Sequence, residues 1–124
     1  QADFMHKTYY SFSENSSILF NTQFATSSNI NRFDKLNDIK NGLPKYSDWY
    51  YGPQMRFLQS IKYSNFKENL LYNKFNTLAS YQNVTESRHK SKYEESELSN
   101  RIENVTIYDL AFDFQKSDKK INLN

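Results

Sequence analysis

A few short constellations in this chain have residue types and spacing that could do chemistry. Asp109 and Asp113 stand four apart with Ala111 between them, so in an extended strand they share one face. Paired carboxylates can carry out acid–base work, but a polar strand face in contact with water is the stronger expectation. Glu86, Arg88 and His89 stand close enough for a ligand contact or, more simply, a local ion-pair network. The acidic run Glu94, Glu95 and Glu97, preceded by Lys90 and Lys92, reads as a solvated loop. The richest segment is 28–53. Arg32 and Asp34 alternate there, Gly42-Leu43-Pro44 reads as a turn, and Trp49, Tyr50 and Tyr51 lead through Gly52-Pro53 into a strand. Aromatic rings at a strand's loop end suit an interfacial girdle or a platform on which a flat ligand stacks.

Other chemistries find no support. No nucleophile elbow, phosphate-cradling glycine loop or HExxH pattern occurs, so the expectation is that the chain is not an enzyme. The chain has no Cys and only two His, His6 and His89, so neither a metal site nor a cofactor is expected. A net charge of +2 with both signs interspersed is too weak to argue for a nucleic-acid partner.

The elements that must position these residues are strands. Ile18, Phe20, Thr22, Phe24 and Thr26 alternate with Leu19, Asn21, Gln23 and Ala25. Met55, Phe57, Gln59, Ile61 and Tyr63 alternate with Arg56, Leu58, Ser60, Lys62 and Ser64. Phe75, Thr77, Ala79 and Tyr81 form a third such set, and Tyr108, Leu110, Phe112 and Phe114 a fourth. This is the period of two expected of strands with one apolar face. Phe4 to Phe12 reads as one more strand. Short polar turns are expected at Ser13–Ser16, Ser64–Asn69 and Lys116–Lys120, and long connections at 28–53 and 87–101.

Composition agrees. Only 37% of the 124 residues are hydrophobic, which alone points toward disorder, yet 17% are aromatic, which points away from it. Apolar residues spread over every second position reconcile the two figures. Alternation alone fits a soluble sandwich as well as a barrel wall with lipid outside and a wet lumen inside. Strands of roughly 9–12 residues and the regular exchange of short turns with long loops tilt the expectation toward the barrel. Gln1-Ala2-Asp3-Phe4 has neither a basic nor an apolar leader region, so the chain is expected to start inside something larger or after processing.

At several segments the sequence resembles the barrel region of TonB-dependent outer-membrane receptors. They are Asn31-Arg32-Phe33-Asp34-Lys35-Leu36, Tyr46-Ser47-Asp48-Trp49-Tyr50-Tyr51-Gly52-Pro53-Gln54, and Tyr81 through His89. Asn100-Arg101-Ile102-Glu103-Asn104-Val105 and Asp113-Phe114-Gln115-Lys116 continue the likeness in order, over about positions 16–116. Lys90-Ser91-Lys92 departs from the family pattern, where an Arg is expected. The resemblance implies an all-β, antiparallel fragment, residues 1–124, of a large transmembrane β-barrel. About five strands of 22 would be present, without the plug, and the loops at 28–53 and 87–101 would lie outside the cell. It implies energised import of a scarce nutrient of the iron-chelate, cobalamin or glycan class in the bacterial outer membrane. The partners would be outer-membrane lipid, the nutrient ligand, the TonB complex acting through the missing plug, and in some members a surface lipoprotein. Arg32, Asp34, Trp49, Tyr50, Tyr51, Glu86 and Arg88 would be ligand-contact or loop-anchoring residues. Phe20, Phe24, Phe57, Phe75, Tyr108, Leu110, Phe112 and Phe114 would face lipid. The alternative is a soluble β-rich module that binds a ligand or carbohydrate, or an adhesin.

Overall fold

The computed structural model describes residues 1–94 and 97–117. Glu95 of the acidic run lies outside the described residues, as does most of the turn expected at Lys116–Lys120. The elements in chain order are β1 (Ala2–Ser13), β2 (Ser16–Thr26), β3 (Ile30–Asn31), the single helical turn α1 (Phe33–Leu36), β4 (Ile39–Lys40), β5 (Leu43–Pro44), β6 (Tyr46–Tyr51), β7 (Met55–Asn65), β8 (Lys74–Lys92) and β9 (Leu98–Gln115). The fold is all-β and antiparallel, as expected. A seven-stranded sheet has the order β1-β2-β7-β8-β6-β3, with β9 also on β8, and β4–β5 form a separate hairpin.

A strand has only two edges, and this settles the path. Side chains of β9 meet β8 at both ends, through Asn100 with His89 and Phe112 with Phe75, so β9 occupies one edge throughout. β7 and β6 therefore share the other edge in succession. The break between them, Gly52–Gln54, stays on the ladder, because the Gly52 N–H donates to Ser87 O at 2.9 Å. The neighbouring path breaks at the same level between β2 and β3, where the Ser27 N–H donates to Gln54 O. In sequence the sheet is thus a meander of five paths: β1, β2 with β3, β6 with β7, β8, and β9.

The two long connections are more structured than the sequence suggested. Within 28–53 lie β3, α1, the β4–β5 hairpin and β6. The hairpin turn is Asn41–Gly42, both at positive φ (53° and 81°), while Leu43 and Pro44 belong to the strand. Asn-Gly at these positions matches the turn whose twist suits a two-residue hairpin. This corrects the placement of the turn at Gly42-Leu43-Pro44. Between 87 and 101, β8 runs on to Lys92 and β9 begins at Leu98, leaving a connection of only residues 93–97. The cause is tertiary: β6 supplies pairing partners for Arg88 to Lys92, so charged residues that read as loop sit in a ladder.

By its internal contacts the chain divides into two compact units. One contains Gln1–Phe4, Gln23–Phe57 and Gln82–Thr106; the other contains Met5–Thr22, Leu58–Tyr81 and the chain from Ile107 onward. In the second unit the predicted faces coincide. Tyr63 and Phe75 lie 6.3 Å apart, Phe75 and Phe114 4.7 Å, and Tyr81 and Tyr108 5.3 Å, centroid to centroid. Asn65 donates to Ser16 Oγ and to Tyr63 OH, which places β2's even-numbered residues on the same side. The opposite side is a polar ladder: Asn21 to Ser60, Ser64 to Asn76, and Asn76 to Asp113. Among the described residues no apolar side chain is buried, and the one buried polar residue is Ser17, 8% exposed.

Candidate functional site

The first unit holds the site, and Arg32 organises it. Its backbone N–H donates to Trp49 O, and its carbonyl accepts from Lys35 and Leu36, so it is pinned between β3 and α1. Its guanidinium then makes three charge-assisted bonds. Nε donates to Asp34 Oδ1 at 2.7 Å, one terminal nitrogen to Asp34 Oδ2 at 2.6 Å, and the other to Tyr51 OH at 2.7 Å. The same group lies 5.6 Å from the Trp49 ring centroid and 5.5 Å from that of Tyr51. Only arginine has a planar fork that can grip a carboxylate with two donors and still lie near aromatic faces. The hydrogen bonds from Arg32, and then its charge, hold the Asp34 carboxyl down to about 2, and the partnership with Asp34 and Tyr51 raises the guanidinium's pKa further.

β6 and β8 carry the arrangement onward. Tyr51 lies opposite Arg88 and Trp49 opposite Lys90 in the ladder, so these four side chains share one face. The Arg88 guanidinium sits 5.6 Å from the Tyr51 ring centroid. Asp34, Arg32, Tyr51 and Arg88 therefore form one continuous relay of charge and ring. Glu86 lies two residues before Arg88 on the same face of β8. It lines a cleft of about 270 Å³ with Asp3, Gln54 and Arg56, and Arg56 donates to Gln82.

Of the seven residues proposed from sequence, the structure brings Arg32, Asp34, Trp49, Tyr51 and Arg88 together, with Glu86 beside them. Tyr50 departs from the group, because alternation sends it to the other face. There it stacks on His89, ring centroids 4.7 Å apart and planes 15° apart. His89 is fixed on both nitrogens, by Asn100 Oδ1 at 2.7 Å and Ser87 Oγ at 3.0 Å. Gly52 is buried against this group. A Cβ there would collide with Ser87 Oγ and stand 2.7 Å from His89 Nε2, so any larger residue would force these side chains to shift.

Sequence reasoning missed Asn100, Ser99 and Arg101 as neighbours of this region. The period of two fades before Tyr108, where Thr106, Asn104 and Asn100 stand on its face and Val105 and Ile107 on the other, so no local pattern marked these residues. Asp113, one of the two spaced aspartates, accepts from Asn76 and Gln115 in the second unit's polar ladder, which is a structural engagement. Of the eight residues expected to face lipid, Phe20, Tyr108, Leu110, Phe112 and Phe114 are exposed, while Phe24, Phe57 and Phe75 are half-buried. No helix among the described residues is long and apolar enough to cross a membrane, which says nothing of strands. The site is built of guanidinium groups, flat rings and amides. Compared with family models, curated proteins and solved structures, the chain matches none.

Proposed function

We propose that this chain is part of the wall of a TonB-dependent outer-membrane receptor that imports a scarce nutrient. One observation carries the reading: an aromatic ladder across β7, β8 and β9, in a chain with no buried apolar side chain among its described residues. A folded domain in water hides such a surface in a core or an interface. Hydrocarbon makes it stable where it stands, with the hydrogen-bonded polar side facing a wet interior. β8 and β9, at 19 and 18 residues, exceed the 9–11 that a spanning strand needs. Among the described residues β1 and β9 each pair on one edge only. Unpaired backbone in lipid costs several kcal/mol per group, so the reading requires further strands on both sides.

In this reading Phe20, Phe75, Leu110 and Phe112 meet lipid, and the segments around 28–53 and 87–101 project outside the cell. The Arg32 relay anchors those projections. The nutrient, and the TonB complex acting through a plug, are the partners. A Lys40→Cys variant of the intact protein in cells tests this, since Lys40 sits at the tip of the β4–β5 hairpin. The expected result is labelling by an impermeant maleimide on intact cells and retention in the membrane pellet after alkaline carbonate washing. Labelling only after lysis overturns the orientation. Release as a soluble folded protein overturns the membrane reading and favours a soluble binding module.

A further inference from the structure

Arg88 has satisfied only part of its chemistry. The Tyr51 ring lies against its guanidinium, and a ring engages the π face of that group while leaving the N–H edge free to donate. Among the described residues no carboxylate or other acceptor takes that edge, and Lys90, on the same face, has no carboxylate partner either. Arg32 is the contrast, because Asp34 consumes its fork. Arg88 and Lys90 line a pocket of about 210 Å³ with Trp49, Ser99 and Arg101. Arg101 gives its Nε to Glu103, at 2.7 Å. No carboxylate lines the pocket. Three cationic side chains on one pocket, only Arg101 of them paired with a carboxylate among the described residues, favour an anion there.

We infer that this pocket binds a small polyoxyanion, a ligand carrying two or more phosphate or carboxylate oxygens, with its apolar part against Trp49. Arg88 supplies a planar pair of donors, pre-positioned by the relay from Asp34 through Arg32 and Tyr51. Lys90 and Arg101 supply the neutralising charge, and Ser99 a hydroxyl. The volume suits a compact anion. The site holds whichever solvent meets the aromatic ladder, so it stands or falls separately from the membrane reading.

The test is titration calorimetry of the intact protein in detergent with inorganic pyrophosphate, citrate and, as a neutral control, glucose. Pyrophosphate or citrate is expected to bind and glucose not to bind. The stronger of the two anions names the oxyanion class. Affinity should fall as salt is raised from low to physiological strength, since the charges are solvent-accessible. The Arg88→Gln/Lys90→Gln variant should bind roughly tenfold or more weakly, as expected for lost bonds to a charged group. Lys90→Gln/Arg101→Gln leaves the Tyr51 relay intact and gives the same reading if loss of Arg88 disturbs folding. No heat with either anion at low salt, or equal affinity in the unaltered protein and Lys90→Gln/Arg101→Gln, overturns the inference.

Discussion

At the scale of the residue, most of the site's order comes from one carboxylate. Asp34 turns a flexible arginine into a fixed strut, which in turn fixes Tyr51. Its carboxyl is held below its usual value, so the interaction is at full strength above the ordinary carboxylate range. It is lost as pH falls from about 4 toward about 2. Trp49, the chain's single tryptophan, lies against Arg32 and reports the change. Its emission should be constant above the transition and shift within it. Asp34→Asn should show the shifted emission at every pH, and an Asp34→Asn variant with the parent's acid transition would show that another group is responsible. Gly52 is a second point of fine control. In Gly52→Ala the new methyl meets Ser87 and His89, and overpacking of this kind costs about 1–3 kcal/mol. Thermal melting should show that loss, and Gly52→Ala/Ser87→Gly should recover part of it, because removing the hydroxyl opens the space.

At the scale of the element, alternation decides partnership. A pleated strand sends every second side chain to one face, so the apolar sets marked in the sequence meet as a ladder in which Phe75 contacts Tyr63, Tyr72, Phe112 and Phe114. The same rule separates Tyr50 from Trp49 and Tyr51, neighbours in the sequence that work on opposite faces. Phe112 distinguishes the two solvents the ladder could meet. It is 59% exposed, so in water Phe112→Arg is a surface change of about 0.5 kcal/mol or less. Against hydrocarbon near the bilayer midplane it costs about 2–4 kcal/mol. We expect the larger loss, measured by urea unfolding of the intact protein in lipid vesicles. Asp113→Asn is expected to cost less than about 1 kcal/mol, because the amide oxygen still accepts from Asn76. Equal, small losses from both substitutions would mean that Phe112 does not face lipid.

At the scale of the whole molecule, our proposal has something outside the described residues satisfy the apolar side of the sheet. Burial supplies about 25 cal/mol per Å² of apolar surface removed from water, and here no described apolar side chain is buried within the chain itself. That places the stabilising partner, in our proposal, in the bilayer and in further strands along β1 and β9. Lys40→Cys labelling on intact cells tests that proposal at its own scale.

What the sequence determined by itself is the local physics. Period-two alternation in residues such as Phe75 to Tyr81 and Tyr108 to Phe114 assigned strands and their faces, because that pattern depends only on the pleat. The grouping of Arg32 and Asp34 was legible for the same reason: two residues apart, they need no distant element to meet. The tertiary structure alone decided what pairs with what. It extended β8 to Lys92, because β6 lies beside those charged residues and gives their backbone a partner. It placed Arg101 by Trp49, and Asn100 on His89, across separations that no local pattern encodes. Pairing between distant segments depends on register, and register is set by the sum of all contacts along both edges, which no short stretch of sequence contains.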